Sequence, residues 1–107
     1  MHNAYPVTLT DVPDYDSATH RAMQRVQLIN NIWTQTWTVE EISYSRACSN
    51  IRGRRNVELS NSDWTQFTDS PLSSEKKSEW SQYRANLRSI PEQEEFPYNV
   101  NWPTKPE

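Results

Sequence analysis

The stretch SDWTQFTDSPLSSEKKSEWSQYRANLRSIP, residues 62–91, decides how the second half of this chain is expected to fold. Ser73 is placed to cap a helix, and Glu75 in the first turn suits the helix dipole. Pro91 disfavours helical geometry at Ile90 and therefore ends that helix. Large apolar side chains recur at helical spacing, so one side of the helix is expected to be buried. The predicted core residues of this helix are Trp80, Tyr83, Leu87 and Ile90.

A preceding helix is predicted from a local start signal. Thr38 and Glu41 have the spacing of a capping box, in which each side chain bonds the other residue's backbone N–H. The helix is predicted to run through EEISYSRACSNIRGRRNVELS, with Ile51 and Leu59 in its core stripe. Arg55 lies on that stripe and is predicted to contact an acidic partner. The alternative for the whole RGRRN cluster is a solvated helix face, offset by neighbouring glutamates.

The segment before these helices, QRVQLINNIWTQTWT (residues 24–38), has the pattern of a β-hairpin. Apolar residues alternate with glutamine, and Asn30 and Asn31 suit a tight turn because asparagine tolerates left-handed dihedral angles. Trp33 and Trp37 share one strand face. A lone hairpin is marginal in water, so this one is expected to pack on a helix or to extend another chain's sheet.

The predicted fold class is α+β: an N-terminal extended arm and β-hairpin, then a two-helix hairpin, then an extended Pro/aromatic C-terminal tail. Within the arm, YPVTLT alternates weakly and suits a short strand. Prolines cluster near both ends, which favours extended termini. In the tail, Phe96, Tyr98 and Trp102 alternate with polar residues or proline, so this segment is expected to lay one face on a surface. The predicted boundaries are 1–38, 39–91 and 92–107.

The composition favours contact with other proteins. Only 34% of the 107 residues are hydrophobic, against roughly 45–50% in most soluble domains. Five Trp, five Tyr and two Phe compensate, because each buries on the order of 150–250 Å². Trp64 is expected to pack against Trp80 and Tyr83 across the helix junction. It is therefore interpreted either as a core residue or as a partner-binding residue. The predicted partner-binding residues are Trp33, Trp37, Arg55, Trp64, Phe96, Tyr98 and Trp102.

Catalytic and metal-binding chemistry is not indicated. The two histidines and Cys48 lack the spacing of a zinc site, and the aspartates of residues 11–16 lack the glycine of a calcium loop. One glycine cannot build a phosphate-binding loop, and no nucleophile motif frames a serine. We therefore expect no enzyme activity, no catalytic residue, no cofactor and no metal.

The charge and the apolar runs argue against two further classes of partner. A net charge of −3 disfavours nucleic acid as a main partner, because phosphate neutralisation needs a basic face. No apolar run reaches the roughly 20 residues that span a bilayer, so no membrane contact is expected. A single cysteine fits a reducing compartment, and MHNAYPVTLTD lacks the features of a signal peptide, so synthesis in a cytoplasm is expected.

The string RRNVELSNSDWTQFTDSPLSSEKKSEWSQYRANLRSIP, followed by FPYNVNWPTKP, resembles the phage tail assembly chaperone family. Members characteristically read as an arginine-rich helix, DWTQ, an aspartate-x-proline-leucine turn, W-x-x-Y-R, L-R-x-I-P and a closing W-P. The resemblance spans about residues 52–106, half the chain. Phe67 and Ser89 depart from the more common aliphatic and aspartate. NNIWTQTWTVEEIS more loosely resembles the segment that precedes this domain in phage tail and virion proteins.

The resemblance implies a tailed-phage assembly and leaves three roles open. The first is a non-enzymatic virion structural protein, present in several copies, that docks on tail, baseplate, fibre or capsid proteins. The second is a transient chaperone, made in the host cytoplasm and absent from the mature particle. The third, a small DNA-binding or host-regulating factor, depends only on the arginine cluster.

Overall fold

The computed structural model describes residues 7–107. The chain forms two compact units, which meet after Ile42 in the sequence. The first unit contains an antiparallel pair of strands, β1 (His20–Ile29) and β2 (Ile32–Glu41). The second contains α1 (Tyr44–Ser62), a 3₁₀ helix (Asp63–Gln66), α2 (Ser74–Arg88) and a second 3₁₀ turn (Ile90–Glu92). The predicted order, a β-hairpin followed by two helices, is confirmed.

The hairpin closes through a two-residue turn. Asn30 and Asn31 have φ values of 49° and 63°, the left-handed pair that matches the twist of the flanking strands. A segment of the N-terminal arm lies along the outer edge of β2, where the Thr8 N–H donates to the Trp33 carbonyl at 2.9 Å. The Gln35 N–H donates to the Thr8 carbonyl at 2.8 Å, which completes a short parallel bridge.

The predicted capping box at Thr38 is wrong. Thr38 pairs with Met23 near the end of β2, and the strand continues through Glu41. α1 begins only at Tyr44, where the Ser43 hydroxyl accepts from the Arg46 N–H at 3.3 Å. The pairing with β1 satisfies the backbone of this segment, so the local helix-start signal does not operate.

The two helices enclose a small core. Ala47, Ile51, Leu87 and Ile90 are all 0–1% exposed. The predicted cap of α2 is confirmed, since the Ser73 hydroxyl accepts from the Lys76 N–H at 3.1 Å. These side chains come from both helices and from the 3₁₀ turn after α2, so this core joins the elements of the second unit.

The C-terminal segment is turned rather than continuously extended. Residues 94–98 form turns in which the Phe96 N–H donates to the Gln93 carbonyl and the Tyr98 N–H donates to the Glu95 carbonyl. Pro97 is fully buried. The extended tail predicted over residues 92–107 is therefore not confirmed. Over residues 7–107, every helix is too short or too polar to cross a bilayer.

Candidate functional site

The register of the hairpin separates its side chains into two faces. Directly opposed residues of an antiparallel pair share a face, and side chains alternate along each strand. We call one side the apolar face; it carries Ala22, Val26, Leu28, Trp33, Trp37 and Val39, together with Gln24 and Gln35 and, at the end away from the turn, His20 and Glu41. The other side, the polar face, carries two isoleucines next to the turn, Ile29 and Ile32, and otherwise mainly polar residues: Arg21, Met23, Arg25, Gln27, Thr34, Thr36, Thr38 and Glu40.

The apolar face is poorly covered within the described part of the chain. Leu28 is 55% exposed, Val26 is 46% exposed, and Trp33 is 37% exposed. Trp37 is half-buried, and its indole N–H donates to the Thr10 carbonyl at 3.2 Å. Contiguous apolar surface of this kind marks a site of interaction. The face therefore offers two tryptophan rings, one of them held in place by the arm, beside aliphatic side chains.

The polar face carries opposite charges at one end and a lone positive charge further along. The Arg21 guanidinium lies 3.5 Å from the Glu40 carboxylate, and both side chains are solvent-accessible. Arg25 stands opposite Thr36 and has no ion pair among residues 7–107. Exposed ion pairs of the first type contribute little stability, so the fold of the hairpin does not depend on these charges.

A second aromatic cluster lies in the helical unit. The Trp64 and Trp80 ring centroids are 6.3 Å apart, and Trp80 meets Tyr83 edge-on at 5.7 Å. The predicted contact between Trp64 and Trp80 is therefore present, while Trp64 itself stays 45% exposed. The Tyr83 hydroxyl donates to the Glu58 carboxylate at 3.3 Å. Burial raises the pKa of Tyr83, and the negative charge of Glu58 raises it further.

The aromatic residues of the tail contact α1. Arg54 lies over the Trp102 ring at 4.6 Å, and Arg52 lies over the Phe96 ring at 5.4 Å. The ring centroids of Tyr98 and Tyr44 are 6.4 Å apart. The three predicted partner-binding residues of the tail, Phe96, Tyr98 and Trp102, are consequently half-buried against their own unit.

The remaining predicted residues are distributed over the helices. Arg55 is half-buried and donates to the Asn56 side-chain oxygen at 3.1 and 3.2 Å. Of the predicted core residues, Leu59 and Trp80 are half-buried, and four are buried: Ile51, Tyr83, Leu87 and Ile90. Ala47 is also fully buried and was not predicted, although it lies one helical turn before Ile51.

The hydrogen bonds between the arm and the hairpin were not predicted from the sequence. Thr8 and Thr10 bond to β2 and to Trp37. The alternation of YPVTLT was the only signal for this contact. His2, with the rest of the first six residues, lies outside the described residues. Among residues 7–107, no group of three or more potential metal-ligating side chains is present.

Comparison with known proteins identifies the helical unit. A family model described as phage tail assembly chaperone protein matches residues 48–107, which is more than half of the chain. The match confirms the resemblance carried by DWTQ, W-x-x-Y-R and L-R-x-I-P. No curated protein and no solved structure gives a significant match. The hairpin, residues 20–41, lies entirely before the matched region.

Proposed function

The chain belongs to the phage tail assembly chaperone family, and we propose that it is a non-enzymatic docking protein that stays in the assembled particle. The family gives the chain a role in phage tail assembly. The observation that carries the docking proposal is the exposed apolar face, where Leu28 and Trp33 stand opposite each other beside Val26. Covering this face with a partner removes apolar surface from water, at about 25 cal/mol per Å².

The proposed partners are other phage structural proteins, bound in several copies per particle on the tail, baseplate, fibre or capsid. In this arrangement the helical unit is the family's domain, and the hairpin adds a second binding surface. Trp64 supports a further contact, because almost half of its surface is exposed beside Trp80.

Mass spectrometry of purified particles tests the proposal. The chain should be present in a fixed ratio to the tail proteins. Leu28→Ser should reduce incorporation strongly, because it removes an exposed apolar side chain from the apolar face. Gln27→Ser, which changes the neighbouring residue on the opposite face, is the matched control and should be incorporated normally. Equal incorporation of both variants would contradict docking through this face.

A transient chaperone is the second candidate, and the family description favours it. Such a protein would bind tail subunits during assembly and leave before the particle is complete. It should then co-purify with tail protein from cells that accumulate unassembled tails and be absent from finished particles. A DNA-binding role has less support, since Arg52 and Arg54 lie over aromatic rings of the tail.

A further inference from the structure

The hydrogen bonds of the hairpin fix which backbone groups of β1 point away from β2. In an antiparallel pair, residues that bond each other alternate with residues whose N–H and C=O point outward. On β2, the Trp33 carbonyl and the Gln35 N–H point outward, because both are bonded to Thr8. Their partners on β1 are Leu28 and Val26, so the backbone groups of these two residues point outward on the opposite edge.

The period of two extends this open edge along β1. Its outward residues are Ala22, Gln24, Val26 and Leu28. Within residues 7–107, no hydrogen bond from outside the hairpin reaches their N–H or C=O groups. A row of unpaired strand groups is a template for an added strand. The arm already occupies part of the edge of β2 at Trp33 and Gln35, so among residues 7–107 the edge of β1 is the longer open one.

The side chains of β1 indicate what kind of strand fits. Arg21 and Arg25 lie on the polar face, four positions apart, and β1 contains no acidic residue, although Arg21 also lies 3.5 Å from Glu40 of β2. Arg25 has no ion pair in the described part of the chain. A second copy of β1 brings the same two arginines and no complementary charge. A strand with carboxylates four positions apart complements both, since opposite charges on neighbouring strands attract.

We propose that the open edge of β1 binds an extended segment of a tail protein that alternates acidic and apolar side chains. The carboxylates face Arg21 and Arg25, and the apolar side chains continue the apolar face beside Val26. This inference rests on the proposed function, because it specifies the partner of the same hairpin.

The first test uses the full chain and two synthetic peptides, EVTVEVT and its matched control KVTVKVT. The acidic peptide should bind about tenfold more tightly, because two attractive charge pairs replace two repulsive ones. On binding, amide hydrogen exchange should slow at Ala22, Gln24, Val26 and Leu28. Exchange at the intervening residues of β1, which are already bonded to β2, should change little. Slowing at neither set, or equal affinity for the two peptides, overturns the proposal.

The second test blocks the edge without changing its charge. Gln24→Pro removes an outward N–H that the hairpin does not use, and proline is tolerated at such edge positions. It should reduce affinity for EVTVEVT at least about tenfold, whereas Gln24→Ala should bind as the unaltered chain does. If the proline variant loses the hairpin itself, Arg25→Glu replaces it, and the preference for the acidic peptide should then disappear.

The outcomes separate this proposal from the proposed function. Failure of both peptides to bind, with particle incorporation that still depends on Leu28, overturns strand addition and leaves docking through the apolar face intact. Incorporation that is indifferent to Leu28 contradicts the proposed function itself. A dimer of the chain that is abolished by Gln24→Pro, without peptide binding, overturns the acidic partner and makes a second copy the occupant.

Discussion

At the scale of single residues, Arg84 joins α2 to the end of α1 through three hydrogen bonds. Its guanidinium donates to the Leu59 carbonyl at 2.6 Å, the Ser62 hydroxyl at 2.7 Å and the Asp63 carboxylate at 2.7 Å. The arginine is only 14% exposed, so its bonds replace hydration that these acceptors would otherwise have. It therefore satisfies the C-terminal end of α1 from a position on α2.

Replacing Arg84 with alanine should lower the free energy of unfolding by about 2–3 kcal/mol, because hydrogen bonds to a charged donor are lost and the acceptors lose a partner. Arg88→Ala, on the exposed last turn of the same helix, is the control and should change it by less than about 1 kcal/mol. Urea unfolding followed by circular dichroism measures both. An equal loss of unfolding free energy in the two variants would show that the bonds from Arg84 to the end of α1 contribute no more stability than an exposed arginine does.

Tyr83 should make the helical unit sensitive to alkaline pH. Burial and Glu58 raise its pKa above 10.0, the value expected for an exposed tyrosine, so the folded protein keeps a neutral phenol where the unfolded chain ionises. The resulting stabilisation is fully present below about pH 10 and is lost as pH rises through the folded-state pKa. Tyr83→Phe should flatten the decline of melting temperature above that pH.

Glu58→Gln should flatten the same decline less than Tyr83→Phe does, because burial is the larger cause of the raised pKa. Some slope should persist in both variants, since a hydrogen bond with the Cys48 thiol also raises the pKa of Tyr44. Parallel melting curves for Tyr83→Phe and the unaltered chain would show that this phenol does not titrate differently on folding.

At the scale of elements, the sequence predicted well those turns and helix ends that depend on a few neighbouring residues. Asn30 and Asn31 signalled the hairpin turn because few other residues adopt two consecutive left-handed conformations. Ser73 likewise marked the start of α2, whereas that helix ends at Arg88, before the 3₁₀ turn that contains Ile90 and Pro91. The start of α1 was misplaced because Thr38 matches a helix cap equally well in isolation, while its pairing with Met23 is a contact between separate strands.

The position of the α1 cap provides a direct comparison of two variants. Ser43→Ala should destabilise the helical unit by about 1 kcal/mol, because the Arg46 N–H loses its acceptor. Thr38→Ala should leave the stability of that unit unchanged, since Thr38 belongs to β2. Thermal unfolding monitored at helical wavelengths distinguishes them. A larger effect of Thr38→Ala would restore the capping box.

At the scale of the whole molecule, the sequence predicted that the chain has more aromatic side chains than its core needs. It did not predict where each of these rings lies. The excess of rings over aliphatic residues indicated contact surfaces, and Trp33 is exposed on the apolar face. Trp102 and Phe96 were expected to face a partner, yet each lies beneath an arginine of α1. These pairings join residues more than 40 positions apart, and no local pattern specifies them.

The helical unit should fold without the hairpin. Among residues 7–107, the buried hydrophobic side chains, from Ala47 to Ile90, all lie in the helical unit, and the match to the family covers residues 48–107. Residues 43–107 produced alone should therefore keep the helical circular dichroism and cooperative unfolding of that unit, because none of these buried side chains comes from the hairpin. The same fragment should fail to enter particles, since it lacks the apolar face and the open edge of β1. Normal incorporation of the fragment would transfer the docking role to the helical unit, with Trp64 as the first residue to alter there. A fragment that does not fold would instead show that the hairpin contributes to the stability of the family's domain.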